Sequence, residues 1–467
     1  MNRLLSCRRG LVATAIATLV TLSPSLGAQE SSLRDTLRLS LDEAVAKALE
    51  ESEEIQVARS QVDQARSQIT QATAAALPHL SASFTYNRTV KSIFDDIQFF
   101  PEDDTTGPAN GDGLGDLPFG RPNTYLTSLQ LTQLLWAGGS VGAARRAATL
   151  LESAAENQLE EAESDIVFRV RTAYLNAVAA RRLHEIALQS QEVALGHLRQ
   201  VESFRQAGTA SEFDLLRARV DYENRNPAVV QTDNAAQLAA LELKRLVNVP
   251  AEQPLELTTR GGVEMVQVDE SVLAGLVADR PVLRAARENV GMREAAVTVF
   301  RAQRWPSVSL LGNLGFQAFP SRVTPPGFDQ WRKDWYVALG VSWNVFNGFE
   351  TKGQIAQAQA QLRQARVEEV QLNEALTIQL EAGLADYRMA IAQLEAREET
   401  VALAERAYEL AESRFANGLS TQLEVSDAAL LLDEARVNQV QAMYDYVKAL
   451  AQLERLSGGR LQLLRFR

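Results

Sequence analysis

Glu424 and Asp427 stand three residues apart just after Gly418, and Asp214 stands just after Gly208. Carboxylates three apart share one face of a helix. Taken alone they are acids near a helix N-terminus, where the dipole favours them, or a solvated face. Asp112 and Asp116, in "NGDGLGD", loosely resemble a calcium loop, but an exposed loop is the simpler reading. His79, His184 and His197 are spread along the chain without metal spacing and are expected to be surface or packing residues. The chain has no GxSxG, HExxH or P-loop, and "GDGLG" has the wrong charge for a phosphate. We therefore expect no enzyme, no cofactor and no metal site.

Composition narrows the remaining classes. The 467 residues open with Arg3, Arg8 and Arg9, then an apolar run from Leu11 to Leu22, then Ser25, Gly27 and Ala28. That is the pattern of a secretory signal peptide over 1–28. Cys7, the one cysteine, precedes the apolar run, so neither a disulfide nor a lipid anchor is expected in the mature chain. Cleavage there would take the formal charge from −12 to −15, which argues against nucleic acid as a partner. No later run is long and apolar enough to span a bilayer as a helix. A chain of this kind can enter a membrane only as a closed β-barrel.

The elements that would carry the acids are legible from periodicity. Apolar residues from Leu41 to Ala72 recur at helical spacing, and Pro78 marks the stop. The period then becomes two. Leu80, Ala82, Phe84 and Tyr86 alternate with Ser81, Ser83, Thr85 and Asn87, and a second strand follows at about 125–136. Lys91–Thr124 between them is acidic and rich in glycine and proline, a long solvated loop. A helix from Ser140 to about Gln206 would be about 100 Å long. Its apolar face is largely alanine, which permits close helix approach. After Gly208 a further helix runs to about Val247, with a kink or interruption expected at Pro227.

The pattern then repeats at an offset of 210 residues. A helix from Pro281 leads to strands at about 308–316 and 335–345, a long helix from Thr351 to Ala416, the Gly418 corner, and a helix to about Leu456. "FNGF" at 346–349 falls on "WAGG" at 136–139, and "RFANGLSTQLEVSDA" at 414–428 falls near "FRQAGTASEFDLLRA" at 204–218. The expected organisation is a first repeat over 29–247, a linker or equatorial region over 248–280, a second repeat over 281–456 and a tail over 457–467. The four strands cannot close a barrel by themselves, so copies must pool them; two copies would supply eight strands and three would supply twelve. Ser81, Ser83, Thr85, Asn87, Ser309 and Asn313 are expected to face the barrel lumen. Tyr86, Phe316, Trp335 and Trp343 are expected to face lipid or its interfaces.

The element order, "LSLDEAVAKAL" at Leu39–Leu49, the "WAGG"/"FNGF" junctions and the tip sequence together resemble the TolC family of outer-membrane efflux channels. The resemblance covers roughly 39–456. It implies a mainly α protein with a membrane β-barrel, a homotrimer with a twelve-stranded barrel in outer-membrane lipid and a twelve-helix coiled-coil tunnel in the periplasm of a Gram-negative bacterium. It implies service to an inner-membrane pump of RND, ABC or MFS type through a periplasmic adaptor, in efflux or secretion. Gly208, Thr209, Ala210, Gly418, Leu419 and Ser420 match the family's adaptor-contacting turns. Asp214, Glu424 and Asp427 match acids that ring the periplasmic entrance. Phe415 and Ser420 stand where the family's entrance network uses a tyrosine and an arginine, which suggests a weaker or differently built latch. Many relatives carry an N-terminal lipid on a cysteine; without one, anchoring would rest on the barrel. A periplasmic adaptor is the alternative, but adaptors usually carry one hairpin within a small β-domain. A periplasmic enzyme on a helical scaffold is disfavoured by the lack of clustered nucleophiles or metal ligands.

Overall fold

The computed structural model describes residues 36–91, 122–259, 264–320, 322–461 and 463–464. The segment read as a signal peptide, and Asp112 and Asp116, lie outside the described residues.

The chain begins with β1 (Leu37–Leu39) and α1 (Leu41–Glu51), whose start is fixed by a capping box between Ser40 and Glu43. One continuous helix is expected here, but the backbone turns extended at Ser52 and restarts as α2 (Glu53–Ala74). Ser52 is buried between Ala48 and Ile55, both fully buried, so the break preserves the packed face. Strands β2 (His79–Arg88) and β3 (Asn123–Trp136) lead to α3 (Ser140–Gln206), of 67 residues, and α4 (Glu212–Leu246). Helix α4 runs through Pro227 without a break. Pro227 and Glu223, whose carbonyl loses its helical donor, are both exposed. Water can therefore serve that carbonyl, while α3 supports the rest of the helix.

The stretch 248–280, where periodicity shows no element, holds β4 (Leu255–Leu257) and α5 (Glu270–Ala278). Strand β4 pairs in parallel with β1, Leu37 opposite Leu255. The second copy follows as α6 (Pro281–Ala302), β5 (Ser307–Ala318), β6 (Arg332–Ser342), α7 (Glu350–Ala416), again of 67 residues, and α8 (Gln422–Leu456). Strand β6 starts and ends three residues earlier than its alternation suggests. Trp343 therefore lies beyond the strand, where its indole N–H donates to the Arg304 carbonyl at 3.1 Å.

The four long strands form one antiparallel sheet in the order β2-β3-β5-β6. The β3–β5 pairing joins the two repeats. Below the sheet, α3 packs on α2 and α6, and further down on α4 and α8, while α7 packs on α6 and α8. The lower helices thus lie in the order α4-α3-α8-α7, leaving α4 and α7 as the two edges. Alanines such as Ala148, Ala155, Ala177, Ala180 and Ala194 line the buried face of α3 and let its neighbours come close.

Two hydrophobic cores grip the segment between the repeats. In one, Tyr174 is fully buried; its hydroxyl donates to the Leu39 carbonyl at 2.9 Å and accepts from the Thr259 N–H at 3.2 Å. In the other, the buried Tyr446 hydroxyl donates to the Glu264 carbonyl at 3.1 Å and accepts from the Val266 N–H at 3.0 Å. Tyr387 donates to the Val266 carbonyl beside it. Each aromatic ring supplies apolar area while its hydroxyl satisfies backbone that is not in a helix.

Candidate functional site

Two regions among the described residues carry large exposed apolar side chains and the residues singled out in the sequence: the pair of helix tips and the two faces of the long-stranded sheet.

Each tip is a helix end closed by a glycine at positive φ. Gly208 has φ +79° and Gly418 has φ +69°. These values suit glycine because an L side chain is strained there. At the first tip the N–H groups of Thr209 and Ala210 donate to the Phe204 carbonyl, at 2.9 and 3.3 Å. At the second the Leu419 N–H donates to the Arg414 carbonyl at 2.8 Å. The chain then restarts a helix at Ser211 or Thr421, whose side-chain oxygens cap the Asp214 and Glu424 N–H groups. Leu419 and Phe213 are the most exposed apolar side chains of the two tips, 71% and 70% accessible.

The three tip acids occupy different local settings. Asp214 is half of a capping box: it accepts from the Ser211 hydroxyl at 2.7 Å and the Ser211 N–H at 3.0 Å. Those bonds, the hydroxyl first, hold its carboxyl below the usual range. Glu424 accepts from the Ser420 hydroxyl at 2.8 Å and lies 3.9 Å from Arg414. Asp427 is exposed. Within one chain no hydrogen bond among the described residues joins any two of these acids. Phe415 packs edge to face on Phe204, with ring centroids 5.9 Å apart.

Just above the tips lies a set of contacts that motif reading missed. Ser190 donates to Asp433 at 2.6 Å, and Arg225 pairs with the same carboxylate. His197 Nε2 and the Tyr408 hydroxyl are 3.3 Å apart. These residues line a cleft of about 440 Å³ between the two hairpins. The available signal was a spacing of seven, Ser190–His197–Phe204 on α3 and Tyr408–Phe415 on α7. The other two histidines make local bonds: His79 with the Ala74 carbonyl at 3.0 Å, and His184 with Thr232 at 3.2 Å.

The sheet has two chemically distinct faces. Cross-strand partners lie on one face. One row runs Ser81, Gln130, Asn313, Tyr336, and the next Ser83, Ser128, Gly315, Asp334. Thr85, Asn87 and Ser309 belong to the same face, which also admits Leu126 and Leu311. The Ser83 and Ser128 hydroxyls are hydrogen-bonded at 2.8 Å. The opposite face carries Leu80, Phe84, Tyr86, Leu129, Leu314, Phe316, Trp335, Val337 and Leu339. Trp335 and Phe84 on it are 69% and 65% accessible, an exposure no water-facing sheet would keep. A bulge at Leu134–Trp136 brings Trp136 opposite Val308 on the apolar face. Strands β2 and β6 have open outer edges.

Among the described residues no helix is long and apolar enough to cross a membrane, and no group of His, Cys, Asp or Glu is placed to hold a metal.

This architecture has known counterparts. The family described as outer membrane efflux protein matches residues 44–249 and 273–459. The pyoverdine export outer membrane protein OpmQ of Pseudomonas aeruginosa is 24% identical over 427 residues, covering 90% of this chain and 85% of its own. The alkaline protease secretion protein AprF of the same species is 23% identical over 434 residues, covering 91% and 85%. Among solved structures, the Campylobacter jejuni CmeC outer membrane channel superposes with a TM-score of 0.75 at 19% identity, over 91% of this chain and 86% of that one. The Vibrio cholerae outer membrane protein VceC gives 0.74 at 19% identity, over 90% and 96%.

Proposed function

The chain belongs to the outer membrane efflux protein family, whose members are channels of the Gram-negative outer membrane and not enzymes, and from that premise we propose how its surfaces serve an exit channel. Three copies close one barrel of twelve strands, with the Ser83–Ser128–Asp334 face inward and the Trp335–Phe84 face in lipid. The edge helices α4 and α7, packed within the chain on α3 and on α8, turn their outer sides to those of adjacent copies and close the tunnel. The observation that carries this reading is the sheet. Its edges are open and its apolar face is exposed, a state that lipid and further strands together resolve.

At the far end, Gly208, Thr209, Ala210, Gly418, Leu419 and Ser420 offer six turns per trimer to a periplasmic adaptor, which couples the channel to an inner-membrane pump. Asp427 and Glu424, repeated around the axis, favour cations at the mouth, whereas Asp214 serves first as a helix cap. Relatives are named for pyoverdine export and for protease secretion, so the cargo class is set by the partner pump and not by this fold.

The test is the cross-linked mass of the detergent-extracted protein from the outer-membrane fraction, followed by conductance in planar bilayers. A heat-modifiable trimer that conducts supports the reading. A soluble periplasmic monomer without conductance refutes it and favours an adaptor.

A further inference from the structure

The contacts that join the two hairpins near their tips recur every seven residues. On α3 they are Ser190, His197 and Phe204; on α7, Tyr408 and Phe415 keep the same step. Seven is the repeat of a coiled-coil seam, so these rungs form one interface between hairpins rather than scattered contacts. The rung at the tip is apolar, Phe204 on Phe415. The highest rung is ionic, Ser190 and Arg225 on Asp433. The middle rung is His197 on Tyr408, with ring centroids 6.4 Å apart and the rings nearly perpendicular. Histidine is the side chain whose charge ordinarily changes between pH 5 and 8.

His197 is half-buried at the lower wall of the cleft. From α4 it faces Asp221 and Arg225; from α7, Glu405, Tyr408, Glu409 and Glu412; from α8, Asp433 and Arg436. Burial is the largest influence on the ring and disfavours its charge; Glu412 and Asp221 oppose this, and Arg225 reinforces it. Neutral, with its proton on Nδ1, the ring can accept the Tyr408 hydroxyl at Nε2. Protonated, Nε2 becomes a donor. The Tyr408 bond in that sense is lost, and the charge must sit in a half-buried cleft, where desolvation opposes it more than the facing acids favour it.

We propose that His197 is a proton-operated latch between the two hairpins: neutral it accepts the Tyr408 hydroxyl and keeps the tips together, and protonated it can no longer accept that hydroxyl and carries a charge that the half-buried seam disfavours, which loosens them. The sign follows from linkage. In an opened, hydrated seam the ring titrates near its ordinary value of about 6.5. In the closed seam it titrates lower. The closed seam is therefore favoured above about pH 6.5 and loses that advantage as pH falls below it. That the seam lies at the periplasmic mouth of a channel rests on the function proposed above; the contact itself does not.

The test places spin labels at Ala207→Cys and Ala416→Cys, exposed positions at the two tips, in the full-length protein mixed with unlabelled chains. Electron–electron distances are read from pH 8 to pH 5. The expected result is a narrow distribution at pH 8 that broadens and lengthens towards pH 5, and a distribution that no longer responds to pH in His197→Gln. An unchanged native distribution, or an equal response in His197→Gln, overturns the latch. Tyr408→Phe keeps the ring and removes the hydroxyl, so it decides the matter if His197→Gln fails to assemble. Its pH response should shrink, and an undiminished one overturns the proposal. Conductance is measured separately on the same preparation. Its absence at every pH refutes the channel reading, while the distances still decide the latch.

Discussion

Phe204 at the foot of α3 and Phe415 at the foot of α7, 211 residues apart in sequence, meet edge to face, ring centroids 5.9 Å apart, and so tie the two tips together. An aromatic pair of this kind contributes about 0.5–1.5 kcal/mol beyond its buried area. Phe204→Ala and Phe415→Ala should each raise the resting conductance of the channel in a planar bilayer. The double variant should add little to either single one, because both remove one contact. Additive increases would show that the rings act on different elements.

The two sheet faces predict opposite environments for neighbouring residues. A label on Ser83→Cys should react with a water-soluble thiol reagent and escape quenching by spin-labelled lipid. A label on Phe84→Cys should do the reverse. Lipid quenching at Ser83 and not at Phe84 would refute the inward direction of the polar face.

The glycines at positive φ should differ in what they tolerate. At Gly208, φ +79°, an added Cβ meets nothing within 4 Å, so Gly208→Ala costs backbone strain alone, about 1–2 kcal/mol. At Gly138, φ +61°, the Cβ would fall 2.8 Å from the Ala302 carbonyl oxygen. Gly138→Ala should therefore lower the thermal midpoint further than Gly208→Ala. An equal loss at the two would mean that the close approach to α6 has no energetic weight.

Glu454 is buried at 3% exposure, pairs with Arg171 across α3 and α8, and accepts from the Leu463 and Leu464 N–H groups. Removing one partner of a buried pair costs about 3–5 kcal/mol, since the other charge is left without compensation. Glu454→Ala should lower the denaturation midpoint accordingly and make the last residues more sensitive to a carboxypeptidase. Stability within experimental error of the native chain would show that Arg171 finds water or another acid.

The tip acids should separate by role. The Asp214 carboxyl is held low by Ser211, so its contribution to the α4 cap is present above the usual carboxylate range and fades as pH falls through its lowered value. Ser211→Ala should cost about 1 kcal/mol with little change in ion selectivity. Asp427→Asn should instead reduce cation preference, read as a shift in reversal potential, with little change in stability. A selectivity shift from Ser211→Ala as large as that from Asp427→Asn would place Asp214 in the ion path.

Local pattern was enough for the twofold repeat, the two long helices, the glycine corners and the alternating strands. Each depends on a period of 3.6 or 2, or on a residue that alone tolerates a backbone angle. Gly208 and Gly418 announce a reversal wherever they fall. The alternation of Ser81 and Ser83 with Ala82 and Phe84 fixes two faces before any partner strand is known. Pro227 lies inside α4 rather than at its end because α4 is supported along α3 and open to water at the freed carbonyl.

What only the tertiary structure decided is which distant residues meet. Helix α5 and strand β4 are too short to show a period, and they exist because Tyr174, Tyr387 and Tyr446 hold their flanking backbone. His197 belongs to no motif in the sequence and reads there as a surface or packing residue. It becomes a seam residue because α3 and α7 run alongside α8 in the same direction, so that equal heptad steps on helices some two hundred residues apart come level. Periodicity states which face of a helix is buried; the partner on that face is set by how the whole chain folds back on itself.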